Sequence, residues 1–211
     1  MADNYLENKF EQLQNKRNVK VIKRINLSVD TLLKRNRSYR GYDPSRVVTK
    51  EELKELVAAS TLCGSGQNRQ QLRFKLVTAE ESDKVLRLIK LGAALPEEHL
   101  PKPGTEPRAF IVACSIASEN KVIDIDLGIA AQSILLKAVE KGLNGIFILN
   151  FNADKLQEAL DLQLKPLAVI AIGKGAESIF LKPVDSGEDL NYYRKDGIHY
   201  VPKLKVDDIL L

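Results

Sequence analysis

Arg37, Ser38 and Arg40 lie within the run RNRSYR (35–40), just past a short apolar-patterned segment. Two guanidinium forks and a hydroxyl suit a phosphate geometrically. Taken alone, the triplet reads as a solvated helix end with ordinary surface arginines, because basic triplets are common. A second group is the turn Ser65-Gly66-Gln67-Asn68-Arg69-Gln70. Its small residues let backbone approach a ligand, and its amides can pair a heterocycle edge as donor and acceptor. The bland alternative is a helix C-terminal turn with solvated amides. A third is Lys203 and Lys205 in VPKLK. They are either a solvated tail or a basic pair that returns to the first cluster, so that both hold one phosphate.

Other chemistry is poorly represented. Gly64-Ser65-Gly66 and Gly173-Lys174-Gly175 each lack the third glycine of a dinucleotide fingerprint, and there is no P-loop. His99 and His199 have no nucleophile or carboxylate at telling spacing, which predicts surface or rim histidines and no catalytic residue. Cys114 falls in an apolar run and reads as inert core, and Cys63 as a structural thiol. Asp124 and Asp126 read as acids complementing a helix N-terminus.

The elements that must position these residues follow from periodicity. Residues 4–20 carry a sparse apolar stripe and read as a helix laid on a larger body. Ser28 caps a short helix over 28–36. Thr49 with Glu51 and Glu52 opens another that runs to 62 and breaks at CGSGQN. RFKLVT (73–78) reads as a strand, 80–92 as a helix, and LPEEHLPKPGTEPR as a Pro-rich loop of the kind that forms a rim. AFIVACSI (109–116), GIFIL (145–149) and LAVIAIG (167–173) are near-continuous apolar runs, as expected of strands covered on both faces. Residues 124–141 form the most apolar helix, DKLQEAL a short one, and the tail from about Asp185 is polar and turn-rich. Alternating helices and apolar strands read, by periodicity alone, as an α/β sheet covered on both faces.

Composition narrows the class. The chain has 211 residues, 44% hydrophobic and 28% charged, with no Trp. That length buries a core unaided and excludes a low-complexity protein. Two Cys and two His make neither a closed zinc site nor a disulfide framework, so no metal is expected. No apolar span or signal core is evident, which predicts a soluble cytoplasmic protein with no membrane partner. Through Lys50 there are twelve Lys/Arg against five Asp/Glu, while the net charge is +4, so the basic surplus sits in the first quarter. An anionic partner is implied. No aromatic-interleaved basic face appears, so nucleic acid is not the expected one.

These pieces, in this order, resemble the FMN-dependent nitroreductases. RSYRGYD (37–43) is similar to that family's Arg-Ser-x-Arg-x-aromatic signature, and SGQNRQ (65–70) to its Ser-x-x-Asn-x-Gln turn. Residues 126–149 resemble its central helix and following strand. LKPLAVIAIGKGAE (164–177) resembles its Pro-to-Gly strand with the Glu beyond, and VPKLK its C-terminal phosphate clamp. The resemblance runs from about residue 30 to the C-terminus. The pattern departs at Asn36 and Asn150, which stand where Arg and Gly are common, and at Gln71, where Pro is common.

The resemblance replaces the α/β reading. It implies an α+β nitroreductase-like fold: a mostly antiparallel central sheet flanked by helices, with the C-terminal arm exchanged in a homodimer. Residues 1–27 would be an N-terminal helical extension and 28–211 a single FMN-binding domain. Arg37, Ser38 and Arg40 would bind the phosphate and ribityl end of FMN, with Lys203 and Lys205 completing the clamp. Ser65, Asn68 and Gln70 would reach the flavin from the partner subunit, and Leu149 and Asn150 would lie near the isoalloxazine. Arg69, Arg73 and Lys90 are equal candidates for its pyrimidine edge. NADH or NADPH would be the electron donor and a nitroaromatic, quinone or related electrophile the acceptor, in a ping-pong reaction. Dehydrogenase, dehalogenase or flavin-fragmenting chemistry, or a non-enzymatic flavin-binding role, are the alternatives on the same fold.

Overall fold

The structure, a computed structural model, describes residues 27–211. The expected helix over 4–20, and all but the last residue of the N-terminal extension, lie outside the described residues.

Local signals start the helices where their caps lie. Ser28 Oγ accepts the N–H of Thr31 at the start of α1 (Val29–Arg35). Thr49 and Glu52 exchange side-chain and backbone hydrogen bonds (3.0 and 3.2 Å) in a capping box that opens α2 (Lys50–Ala58). A 3₁₀ turn over Ala59–Leu62 then carries the chain to Cys63. The helix expected over 80–92 is a correction: α3 spans only Ser82–Leu86. Beyond it Leu88–Lys90 runs extended against Asn150–Asn152, with an Asn152 N–H donating to Leu88 O (3.0 Å). Tertiary pairing thus outweighs the local helical pattern. The long helix α4 (Lys121–Glu140) begins earlier than its acids suggest, because Asn120 Oδ1 accepts the N–H of Val122 and Ile123. Helix α5 (Ala153–Ala159) is capped by Asn152.

Strands β1 (Leu72–Val77), β2 (Ala109–Ser115), β3 (Asn144–Ile148) and β4 (Pro166–Gly173) form one sheet in the order β1-β2-β4-β3. Every pair is antiparallel. The α/β reading from periodicity is therefore corrected, and the α+β architecture stands. Helices nonetheless cover both faces. Phe110, Val112, Ile146, Ile148 and Val169 face one cluster with α3 and α5. Ile111, Ile170 and Ile172 face the other with α2 and α4. All seven β2 residues are buried, which is why its sequence lacks alternation.

The tail also departs from expectation. It forms a second sheet of β5 (Ser178–Val184), β6 (Tyr193–Lys195) and β7 (Ile198–Leu204), ordered β5-β7-β6, with β5 and β7 parallel. Among the described residues, no helix is long and apolar enough to cross a membrane.

Candidate functional site

Asn36 ends α1 by donating its backbone N–H to Leu32 O, and the chain then runs along the free edge of β3. Ser38 forms a parallel bridge with Gly145, and the Tyr39 N–H donates to Gly145 O (3.2 Å). Position 145 must be glycine. A Cβ there would stand 2.5 Å from Ala171 O and 2.6 Å from Leu135 Cδ2.

This edge, the RNRSYR segment and the small sheet surround a cleft of about 340 Å³. Arg37, Ser38, Arg40 and Lys203 all line it, joined by His199 and Tyr192. Among the described residues, no Asp or Glu lines it. Arg37 Nη2 donates to Leu33 O (2.8 Å) and Arg40 Nη1 to Ser38 O (3.0 Å), while both Nε atoms are buried without a partner. Burial lowers the pKa of Arg37 from its ordinary value, since it disfavours the charged form. The Arg40 guanidinium lies 4.9 Å from the centre of the Tyr192 ring. Three cations and two buried donors without a partner among the described residues surround this cleft, a set chemically suited to an anion.

Glu177 shapes this receptor from outside it. Its carboxylate accepts the backbone N–H groups of Arg40 and Gly41 (3.0 Å for Gly41) and pairs with Arg194 of β6. Apart from its place in the resemblance, nothing in the sequence around Glu177 signals this role. His199 is a correction too. It is only 4% exposed, packs edge-on to Tyr192 (ring centres 5.2 Å) and leaves Nδ1 unpartnered. The β7 strand turns it inward, so it is no surface histidine. Burial first, then the charges of Arg40 and Arg194, hold its pKa below the usual value. His99, by contrast, is exposed.

Ser65, Asn68 and Gln70 come together elsewhere, around a separate cavity of about 230 Å³ beside α4. The Gln70 N–H donates to Ser65 Oγ (3.0 Å) and Gln70 Nε2 to Asn68 Oδ1 (3.0 Å). Gln67, Asn68 and Gln70 have φ of 52°, 54° and 48°, a left-handed conformation that non-glycine residues adopt rarely. The turn is pinned by Asp126 Oδ1, which accepts the Gly66 N–H (2.9 Å). Asp126 therefore does not serve the helix N-terminus as expected; it lies in the second turn and holds the loop. Cys63 lines the same cavity, its S–H donating to Ser133 Oγ (3.0 Å).

Leu149 and Asn150 line neither cavity; both are exposed on the loop after β3. Lys205 stands away from Lys203 and pairs with Asp185 (2.6 Å) on the surface. Arg73 Nη1 donates to Gln70 O and Leu72 O, whereas Lys90 lines a third cavity. Among the described residues, no group of His, Cys, Asp and Glu could hold a metal ion.

The nitroreductase family matches residues 33–174. The chain belongs to that family. No curated protein sequence matches it. Among solved structures, this nitroreductase-family chain is similar to a family member from Streptococcus pneumoniae TIGR4. That match has 18% identity and a TM-score of 0.63, covering 87% of this chain and 99% of that one. It is also similar to an FMN-dependent nitroreductase from Clostridium difficile R20291, with 24% identity, a TM-score of 0.57, and coverage of 70% and 87%. A protein from Exiguobacterium sibiricum 255-15 solved in complex with FMN aligns at 19% identity with a TM-score of 0.58, covering 72% and 90%. At these identities the likeness is one of fold.

Proposed function

We propose that this family member is a cytoplasmic, homodimeric FMN oxidoreductase. It would take two electrons from NADH or NADPH and pass them to a nitroaromatic, quinone or related electrophile. The observation that carries this reading is the anion cleft. The Arg37-Ser38-Arg40 motif and Lys203, far from it in sequence, converge on a volume where, among the described residues, the Arg37 and Arg40 Nε donors are buried without a partner and no carboxylate lines the wall. That donor set suits a phosphate monoester.

In this reading Arg37, Arg40 and Lys203 neutralise the FMN phosphate and Ser38 adds a hydroxyl contact. Lys205, in its pair with Asp185, is left as a surface residue. FMN held there would supply two-electron chemistry between a nicotinamide donor and the acceptor. The polypeptide binds, orients and excludes water. The amides of Asn68 and Gln70, held in a left-handed turn by Ser65 and Asp126, are pre-set to pair a heterocycle presented by the second subunit. Leu149 and Asn150 offer backbone groups at the mouth of β3.

Dimerisation draws support from an exposed apolar stripe on α4. Val122, Ile125 and Ile129 share one helical face, and Leu62 is 89% exposed. Sedimentation giving a monomer at working concentration would remove this part of the reading.

The decisive experiment is an anaerobic visible spectrum before and after NADH and then NADPH. A flavin spectrum that bleaches is expected. A colourless protein that takes up no added FMN would overturn the proposal.

A further inference from the structure

The segment after α3 encloses a cavity of about 260 Å³. Its walls include Ile89, Leu91, Leu95 and Leu100, and its polar members are Lys90 and His99. The floor is continuous with the core on the α3/α5 face of the sheet, where Leu91 is buried and Ile89 and Leu100 pack.

This enclosure is built by specific bonds. The Lys90 N–H donates to Asn150 O (2.9 Å), so the cavity's first wall is tied to the loop after β3. Gly92 then turns the chain with φ +69°. A Cβ there would stand 2.9 Å from Leu100 Cδ1, so glycine lets Leu100 close over the opening. The Leu95 N–H donates to Gly92 O (2.8 Å) and the Glu98 N–H to Leu95 O (3.1 Å). Lys102 pairs with Glu98 (3.3 Å), fixing the far side of the loop.

The charge balance inside is one-sided. Among the described residues no Asp or Glu lines the cavity, and Lys90, an exposed member of its lining, forms no ion pair. An apolar volume of this size with a single cation at its edge accommodates one ring and one anionic substituent. A larger polar ligand would leave its groups unpaired against leucine.

We propose that this cavity is a binding site for a single-ring aromatic carboxylate, its ring between Leu91, Leu95 and Leu100 and its carboxylate on Lys90. Through the Lys90–Asn150 hydrogen bond the bound ring is held beside the loop that the proposed function puts next to the flavin. This last step rests on the proposed function; the binding itself does not.

The test is calorimetric titration of the full chain, loaded with FMN, with benzoate and with benzamide as its uncharged isostere. Benzoate is expected to bind. Lys90→Met should weaken benzoate by about tenfold or more while changing benzamide less than about twofold. Leu95→Trp, which fills the volume, should abolish both; Lys90→Met is a surface change that keeps the test valid where the Trp variant fails to fold. Lys205→Ala, which removes a surface charge elsewhere, should leave benzoate binding intact. Benzoate affinity that is absent in the wild type, indifferent to Lys90, or lost as much in Lys205→Ala overturns the proposal. The flavin spectrum separates the two readings. A protein that binds benzoate through Lys90 but takes up no FMN keeps this site and loses the proposed function. One that bleaches with NADH but ignores benzoate does the reverse.

Discussion

Glu177, the residue before β5, forms an ion pair with Arg194 of β6, with side chains only 10% and 20% exposed. The same carboxylate holds the backbone N–H groups of Arg40 and Gly41, so one residue fixes both sides of the anion cleft. Glu177→Ala leaves Arg194 half-buried without its partner and two N–H groups unpaired. Losing one partner of such a pair costs about 3–5 kcal/mol. Arg194→Met leaves Glu177 still satisfied by two backbone donors and should cost clearly less. Urea unfolding of both variants checks this ordering, and equal losses would contradict the asymmetric role.

The cleft itself predicts a split between two neighbouring lysines. Lys203 lines it, whereas Lys205 pairs with Asp185 on the surface. A charged hydrogen bond contributes about 1.5–3 kcal/mol, so Arg37→Ala and Lys203→Ala should each weaken FMN binding by roughly 10- to 100-fold. Lys205→Ala should leave it within about twofold. Quenching of flavin fluorescence on titration measures all three.

Much of this was legible in the sequence, and the failures have physical causes. The caps at Ser28 and Thr49 and the apolar runs of β2, β3 and β4 are local signals and translated directly. Strand direction is not local. An antiparallel sheet covered on both faces has the same unbroken apolar runs as a parallel one, so β2 could not reveal its partners' orientation. Leu88–Lys90 looked helical because its alternative, pairing with Asn150–Asn152, lies some sixty residues away in the chain. The Arg37, Ser38 and Arg40 group was visible as a motif. Glu177, Asp126 and His199 act by approaching residues remote in sequence, and a lone acid or histidine carries no such mark.

The two thiols should differ sharply. Cys114 sits buried in β2, and burial pushes its pKa up to about 11. Cys63 is half-buried at the end of its 3₁₀ turn, where its S–H reaches Ser133 Oγ. At pH 8 a disulfide reagent such as DTNB should therefore modify one thiol in the folded protein and two after unfolding in guanidinium. Cys63→Ser should remove the folded-state reaction. Prompt modification of two thiols without denaturant would mean that β2 opens far more readily than its burial implies.

His199 makes stability depend on pH in a direction that can be worked out. Burial, Arg40 and Arg194 depress its folded pKa, with Glu177 and Glu98 opposing more weakly. The unfolded chain binds that proton near pH 6.5, before the folded one does. Between the two pKa values the unfolded state thus carries more protons, and stability rises with pH. The contribution is fully present above about pH 6.5 and is lost as pH falls toward the folded pKa. Unfolding free energy should accordingly drop between pH 7 and pH 5. His199→Gln, which cannot titrate, should flatten that slope relative to wild type. An anion in the cleft that His199 lines would favour the imidazolium, so added inorganic phosphate should flatten the wild-type slope as well. Parallel wild-type and His199→Gln slopes would show that the acid loss comes from other groups.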